Sequence, residues 1–288
     1  MKQLTSATLI ILFAALALWS SCEKEITVNL PPYKEKLVVN CAFNNRSPMV
    51  FDISQSRDIL SASSEFSITD GVVRLYENGV LVETVPHSGN GKYESALTAQ
   101  LGKTYSVTVS RPGFTDVSAT AALPKFNGNV SVSYKDSVNV DSLGFPVGEL
   151  KVTFTDDGSE TNYYKIKLES YNTATMTFLP MRPVSEDPLL IDGAADTDDG
   201  GVMFSDLTFN GRTREFKFRT EYGSALGTPK YVVRFELIPK EYHDYLDDIQ
   251  NFEPNLGIIS SEPVLIYTNI ANGLGIFAGT YLETDTIK

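Results

Sequence analysis

The stretch VVRLYENGVLVETV, residues 72–85, decides the fold class. Two runs rich in β-branched and aromatic residues flank Asn78-Gly79, and both residues of this pair tolerate the positive φ of a type I′ turn. Asn-Gly between two such runs is the strongest short-range hairpin signal. The sequence therefore predicts an antiparallel hairpin with strands at residues 72–77 and 80–85.

The same alternation of apolar and polar residues continues on both sides of this hairpin, as expected for half-buried strands. It predicts five further strands, at residues 37–43, 50–56, 92–95, 105–110 and 117–123. Seven short strands within about 90 residues are typical of an immunoglobulin-like sandwich, although the cysteine pair around a tryptophan that marks antibody domains is missing. We therefore predict an immunoglobulin-like β-sandwich over residues 37–124.

A second β-rich region follows the linker-like residues 125–129. Alternating runs predict strands at residues 130–134, 150–155, 164–171, 175–179, 215–220 and 231–238, and a buried strand at residues 263–270. After Pro239, apolar residues recur at steps of three and four, which predicts a short amphipathic helix near residues 240–250. The chain is therefore expected to be all-β, with a second β-sandwich domain that contains this helix over residues 125–288.

The N-terminal residues indicate an export signal and a lipid anchor. Leu9 to Trp19 is an eleven-residue apolar run, typical of a signal peptide and shorter than the roughly 20 residues of a membrane-spanning helix. It ends in Ser20-Ser21 directly before Cys22, which resembles the lipobox of bacterial lipoproteins. We predict that residues 1–21 form the signal peptide, that Cys22 carries the lipid, and that residues 22–36 form the lipidated N terminus and tether. The alternative is an ordinary secretory signal.

The residues after Cys22 bear on where the protein is anchored. Glu23-Lys24-Glu25 resembles the acidic export signals of Bacteroidota-type surface lipoproteins. This predicts a lipid anchor in the outer membrane, with the folded part exposed at the cell surface. The alternative is a solvated tether that says nothing about the leaflet.

Composition excludes several classes of partner. Without Lys2, 23 of the 24 basic residues remain against 36 acidic residues, a formal charge of −13. This balance argues against binding to nucleic acid or to anionic lipid. Cys41 would be the only free cysteine beside the lipidated Cys22, and its apolar surroundings predict a buried structural thiol. Removal of Trp19 with the signal leaves no tryptophan, which lowers the case for sugar binding.

No recognised catalytic motif is present. The chain has two histidines, and His243 lies four residues before Asp247, so a shared helical face could give a metal ligand pair, an oriented base or a surface ion pair, which we favour. The glycines at 273, 275 and 279 have the wrong spacing for a dinucleotide loop, so they predict a turn or close backbone packing.

Acidic turns give the remaining candidates. The loop at residues 180–201 carries Asp192, Asp196, Asp198 and Asp199, which could bind calcium, but Leu207 stands where a calcium loop would need a bidentate glutamate. The run at residues 156–158, Asp-Asp-Gly, predicts a turn between two strands. We therefore assign no catalytic, cofactor-binding or metal-binding residue, and calcium binding by residues 192–201 stays open.

Several short segments resemble one protein family. They are Cys22 to Ile26, Leu37 to Val39, Gly102 to Tyr105, Leu123-Pro124, Tyr163-Tyr164, Glu241 to Leu246 and Asn269 to Phe277. Together they resemble domain-of-unknown-function family 4249 of Bacteroidota-type lipoproteins. The resemblance implies a surface lipoprotein often encoded near TonB-dependent outer-membrane transporters, and it implies no catalytic residues.

Three functions are compatible with these patterns. The favoured one is a non-enzymatic accessory component, for binding or assembly, beside a TonB-dependent transporter; its small-molecule or peptide ligand is left open. The second is a cell-surface adhesin or structural module, by analogy of fold. The third is a hydrolase, which requires two carboxylates across a cleft at roughly 5 to 9.5 Å, as in glycosidases.

Overall fold

The computed structural model describes residues 33–57, 66–172, 175–192, 195–196, 200–220, 230–252 and 265–287. The predicted signal peptide, the lipidation site Cys22 and most of the tether lie outside these residues. Within the described part, no helix has the length and apolar character needed to cross a membrane. The structure is mostly β and sandwich-like, which confirms the predicted fold class.

Seventeen strands and two helices make up the described residues. The strands are β1 Leu37–Asn44, β2 Pro48–Gln55, β3 Val72–Glu77, β4 Val80–Val85, β5 His87–Gly89, β6 Lys92–Thr98, β7 Thr104–Ser110, β8 Val117–Ala122, β9 Val130–Val140, β10 Pro146–Thr155, β11 Tyr163–Asn172, β12 Thr177–Met181, β13 Ala195–Asp196, β14 Gly201–Ser205, β15 Thr213–Thr220, β16 Tyr231–Ile238 and β17 Leu274–Ile287. The helices are α1 Pro188–Asp192 and α2 Lys240–Phe252.

The strands form two sandwiches, each around its own hydrophobic core. In the first sandwich, a four-stranded sheet in the order β4-β3-β7-β8 shares a core with the strands β17-β1-β2-β6-β5. In the second sandwich, a three-stranded sheet in the order β15-β10-β9 shares a core with β14, β11 and β16. Alternating burial along most strands places one face of each on a core, as the sequence pattern predicts.

Strand β17 belongs to both sandwiches. Its first half pairs in parallel with β1, from Val38 opposite Leu274 to Asn44 opposite Thr280. Its second half pairs antiparallel with β16, from Leu237 opposite Tyr281 to Tyr231 opposite Ile287. One ten-stranded sheet therefore runs through both cores, and residues 35–288 form one compact unit. The predicted boundary at residue 124 falls between β8 and β9.

The hairpin predicted at residues 72–85 is confirmed. Its strands have the predicted bounds, and Asn78 and Gly79 have φ values of 49° and 81°, as a type I′ turn requires. A bulge between Leu75 and Tyr76 interrupts the pairing of β3 with β4. Because β4 is an edge strand, this bulge makes its outer edge a poorer template for pairing with another chain.

A tyrosine corner supports the immunoglobulin-like character of the first sandwich. The Tyr105 hydroxyl accepts a hydrogen bond from the backbone N–H of Gln100 (3.0 Å) and donates one to Glu77 Oε2 (3.0 Å). Lys103 Nζ lies 2.7 Å from the other oxygen of that carboxylate. A tyrosine that bonds back to the chain just before its strand is a feature of this fold.

Helix α2 confirms the predicted helix, whereas the strand predicted at residues 263–270 is wrong. The described residues 265–270 are irregular, and Leu265 is 89% exposed. The last strand is instead β17, in a region where we predicted only a turn or close packing. The short elements β5, β13, β14 and α1 were not predicted either.

Candidate functional site

One end of the second sandwich carries two hairpins, and we call it the hairpin end. At this end β15 finishes at Thr220, opposite Gly148 near the start of β10, and β16 begins at Tyr231, opposite Ser170 near the end of β11. The Tyr134 ring of β9 packs on Tyr231, with ring centroids 5.2 Å apart. The β9–β10 and β11–β12 connections therefore project from the same end.

Both hairpins expose apolar side chains. These are Val138 (39% exposed), Val140 (59%), Leu143 (79%) and Phe145 (47%) on the β9–β10 hairpin, and Met176 (78%), Phe178 (38%) and Leu179 (42%) on the β11–β12 hairpin. Scattered exposed apolar residues are ordinary, but several on neighbouring loops mark an interaction surface. The hairpin end is therefore the strongest candidate for contact with another molecule.

The β9–β10 turn is held in one shape by Asp141. Its carboxylate Oδ1 accepts hydrogen bonds from the N–H groups of Leu143 (2.8 Å) and Phe145 (2.9 Å), and its own N–H donates to the Phe145 carbonyl (2.9 Å). Gly144 supplies the positive φ, 85°, that closes the turn. The exposed Leu143 side chain is thus presented on an ordered turn, which lowers the entropy cost of binding.

A cavity of about 420 Å³ adjoins this hairpin. It lies between the base of the β9–β10 hairpin, the chain after β12 and the outer face of β15. Its lining residues are Val138, Asn139, Val147, Gly148, Glu149, Ser185, Glu186, Asp187, Glu215, Lys217, Phe218 and Arg219. Its volume is within the range of small-ligand sites, about 300 to 1,000 Å³.

Most charges of the cavity wall neutralise one another. Asp187 pairs with Arg214, and Lys217 Nζ lies 4.0 Å from Glu149 and 3.9 Å from Glu215. Two opposite charges are left over. Among the described residues, neither the carboxylate of Glu186 nor the guanidinium of Arg219 has a hydrogen-bond or ion-pair partner.

The hydrolase alternative finds little support in this cavity. Glu149 and Glu215 share the ammonium of Lys217 on the face of one sheet. They do not face each other across a cleft, as the two carboxylates of a glycosidase do. Their arrangement resembles a surface ion-pair network more than an acid and base pair.

A cluster of buried carboxyl groups joins two turns at the other end of the second sandwich. The predicted Asp-Asp-Gly turn is confirmed, and it interlocks with the turn at residues 206–212. The Asp156 carboxylate accepts hydrogen bonds from the Tyr164 hydroxyl and from the Gly211 N–H (2.6 Å). The Asn162 side-chain amide is oriented so that its nitrogen donates to Asp156 Oδ1 at 3.1 Å. Hydrogen bonds therefore satisfy both carboxylate oxygens of Asp156 without a bound ion.

Asp206 is the unsatisfied member of this cluster, and no pattern in the sequence points to it. It is 1% exposed, and its Oδ2 accepts the Asn162 N–H at 2.9 Å. Its Oδ1 has no partner in the described part of the chain. Burial raises the pKa of Asp206, and the nearby carboxylate of Asp156 raises it further.

Replacing Asp206 with asparagine should change how stability depends on pH. Because the pKa of Asp206 is raised in the folded state, the folded protein binds this proton more tightly than the unfolded chain does. Its contribution to stability is therefore lost as the pH rises above the ordinary carboxyl pKa, about 4. We expect Asp206→Asn to flatten the fall in unfolding free energy from about pH 4 upward, measured by urea denaturation at several pH values.

Asp157→Asn is the matched control for this change, with the opposite sign. Hydrogen bonds from Asn127 and Ser159 hold the pKa of Asp157 below its usual range, so its contribution is lost as the pH falls. An unchanged pH slope in Asp206→Asn would show that this carboxyl does not titrate in the way we describe.

The other sequence candidates occupy structural positions. Cys41 is buried, as predicted, and burial raises the pKa of its thiol. His243 packs on the Tyr163 ring at 4.6 Å, and its Nδ1 lies 3.5 Å from Asp244. Asp247 instead accepts a hydrogen bond from Asn251 at 3.3 Å. The favoured pair of His243 and Asp247 is therefore not the one formed.

The predicted acidic calcium loop lies largely outside the described side chains, which include none of the four aspartates at 192–199. Where side chains are described, no three His, Cys, Asp or Glu residues come together as a metal site. Calcium binding by residues 192–201 stays a prediction.

The glycines near the C terminus pack closely against backbone, as predicted. A Cβ atom on Gly275 would lie 2.3 Å from the Val39 carbonyl oxygen, and one on Gly279 would lie 2.5 Å from that of Ala122. A Cβ on Gly273 would lie 2.9 Å from the Leu37 carbonyl oxygen. These glycines let β17 lie against β1 and β8. Because their backbone faces other backbone, the three glycines do not form a nucleotide-binding loop.

Three of the family-like segments meet around Asn40. Its side-chain Oδ1 accepts hydrogen bonds from the Tyr245 hydroxyl (3.0 Å) and from the Ile276 N–H (3.3 Å). Asn269 completes the arrangement, since its side chain accepts from the Phe277 N–H (2.9 Å) and donates to the Phe277 carbonyl (2.8 Å). Helix α2, the start of β17 and strand β1 are thereby joined, so these segments serve the fold.

Comparison with known proteins agrees with this placement. The family described as Domain of unknown function (DUF4249) matches residues 23–285. A search of the curated proteins gives no match to this sequence. The family match extends through both sandwiches, from the residue after Cys22 to Asp285, near the end of β17. This chain therefore belongs to the DUF4249 family.

Proposed function

We propose that this protein is a non-enzymatic lipoprotein that binds or assembles with a TonB-dependent transporter at the outer-membrane surface. The lipid on Cys22 would hold it to the membrane, and residues 22–36 would be its tether. The signal-like N terminus, the acidic residues after Cys22 and the family resemblance support the address. The hairpin end supports a binding role.

The position of the hairpin end is the observation that carries this proposal. The folded part begins at Leu37, beside the start of β17. Strand β17 then runs 14 residues, from Leu274 to Ile287 at the hairpin end, and spans roughly 40 Å at about 3.3 Å per residue. The exposed apolar hairpins therefore lie at the opposite end of β17 from Leu37, clear of the point where the tether joins the folded part.

The adhesin alternative uses the same surface with a different partner. Apolar loops at the end of a β-sandwich would serve equally well to bind a host or matrix protein. The two functions differ in what is bound in the native membrane. A transporter partner is present in the same cell, whereas an adhesin's ligand is not.

The double substitution Leu143→Ser with Phe145→Ser should abolish co-purification of the transporter. Both side chains are largely exposed, so we expect a loss of less than about 1.5 kcal/mol in stability and at least a tenfold loss of transporter recovered from detergent-solubilised membranes. Leu101→Ser, on an exposed leucine of the first sandwich, is the matched control and should leave recovery unchanged.

Two outcomes would contradict the proposal. One is recovery of the native protein without any TonB-dependent transporter, and the other is equal recovery of a transporter with the double variant. Protease treatment of intact cells tests the address separately, because a protein facing the periplasm would stay protected.

A further inference from the structure

We propose that the cavity beside the β9–β10 hairpin binds an extended peptide segment of the partner, with a basic side chain set against Glu186 and an acidic side chain against Arg219. This inference rests on the proposed function and specifies the kind of segment that the hairpin end recognises. It is carried by the two unpaired charges, the shape of the cavity and the adjoining apolar surface.

The charges of the cavity favour a ligand that carries both signs. Its remaining wall residues are already matched, since Asp187 is held by Arg214, and Lys217 serves Glu149 and Glu215. Lys151 Nζ also pairs with Glu215, at 3.1 Å from its Oε2. A purely anionic or purely cationic ligand would meet one unpaired charge of the same sign, whereas a segment with both charges satisfies Glu186 and Arg219 together.

The backbone places these two charges on neighbouring segments of the same chain. The Arg219 N–H donates to the Val184 carbonyl at 2.7 Å, so the residues after β12 run antiparallel beside the end of β15. Glu186 follows Val184 by two residues and lines the same cavity as Arg219. The bridge between Val184 and Arg219 therefore puts the two opposite charges on adjacent backbone segments beside one cavity, where a single ligand can meet both.

The apolar hairpin continues the site in one direction. Val138 and Asn139 line the cavity, and the exposed Val140, Leu143 and Phe145 follow them along the same hairpin. An extended segment that leaves the cavity this way would place apolar side chains on this surface. Ion pairs in the cavity would then fix the register, and apolar contact would supply most of the affinity.

Fluorescence anisotropy with labelled hexapeptides tests the inference on the full-length protein in detergent. The probes are Gly-Arg-Leu-Val-Asp-Gly-amide and the peptide with its Arg and Asp exchanged, each with a neutral dye joined to the N-terminal amine as an amide. The reference probe replaces Arg with Gln and Asp with Asn. We expect at least one charged probe to bind at least tenfold more tightly than the reference.

Paired substitutions then assign each charge. Glu186→Gln should weaken binding of the charged probe at least fivefold, and this loss should vanish with a probe whose arginine is glutamine. Arg219→Gln should behave in the same way toward the aspartate of the probe. Glu160→Gln and Arg212→Gln, on exposed residues of the opposite turns, are the matched controls and should have no effect.

The failure of this inference and of the proposed function are distinguishable. Equal binding of charged and reference probes, or losses that persist with the probes whose Arg or Asp is neutralised, would overturn the peptide site even if the transporter is recovered with the protein. Probe binding that follows the predicted pattern, without recovery of any transporter, would uphold the site and overturn the proposed partner.

Discussion

Replacing Gly275 with alanine is expected to lower the free energy of unfolding by more than about 4 kcal/mol, among the largest effects of any single change. Gly275 has a φ of +99°, which side chains rarely adopt, at a cost of about 1–3 kcal/mol. Its new Cβ would also lie 2.3 Å from the Val39 carbonyl oxygen and 2.7 Å from Asn40 Oδ1. Because these contacts are too short, β1 and β17 would have to move apart to admit the Cβ atom.

Gly144→Ala is the control that isolates the free-energy cost of placing a side chain at positive φ. Gly144 also has a positive φ, +85°, but no atom lies within 4 Å of the position its Cβ would take. We expect it to cost only about 1–2 kcal/mol. Urea denaturation of the two variants measures the difference, and equal losses would show that the parallel pair can open to admit a methyl group.

The substitution Phe154→Ala should cost about 3–5 kcal/mol in the second sandwich. Phe154 is buried on β10 at the centre of an aromatic cluster. Its ring centroid lies 4.8 to 6.4 Å from those of Tyr164, Phe204, Phe209, Phe216 and Phe235. Because five rings surround the site, they cannot all move in to fill the cavity, so the loss includes a large cavity term.

Phe145→Ala provides the comparison with an exposed ring. Phe145 precedes the first residue of β10 but is 47% exposed, so its removal should cost less than about 1 kcal/mol. Chemical denaturation again gives both values. Similar losses for Phe145 and Phe154 would mean that the aromatic cluster is looser than its geometry indicates.

The sequence predicted those elements whose apolar residues recur at a regular period or flank a clear turn signal. The hairpin was predicted with its observed bounds because Asn78-Gly79 marks its turn, and β16 because the partly exposed Arg234 and Glu236 alternate with buried apolar residues. Helix α2 was predicted for the same reason at the helical period. Alternation is visible in the sequence wherever the surroundings of a strand alternate.

Strand β17 was missed because its surroundings do not alternate. Residues 275–280 are all buried, since this part of the strand runs through the middle of the sheet and against β8. A strand buried on both faces has no period-two signal, and its glycines predicted turns. The apolar run at residues 263–270 led to a wrong prediction of a buried strand. Among its described residues, only Ile270 at its end is buried.

The candidate site could not be predicted from sequence because its residues are dispersed. The cavity collects side chains from β9, β10, β15 and the connection after β12, and each looks like an ordinary surface position in its own segment. Asp206 follows β14 with no pattern around it, and only the folded structure shows that it is buried and bonded to the Asn162 N–H. Topology, which sequence periods do not give, brings these groups together.

The parallel pairing of β1 and β17 also determines how the protein responds to force. A load that enters at Leu37 and leaves at the hairpin end pulls these two strands past each other along their length. Their hydrogen bonds lie across the strands, so the seven residue pairs from Val38 to Asn44 are sheared together and cannot be opened one at a time. A load between these two points would therefore meet the joint resistance of all seven pairs, not that of the weakest one.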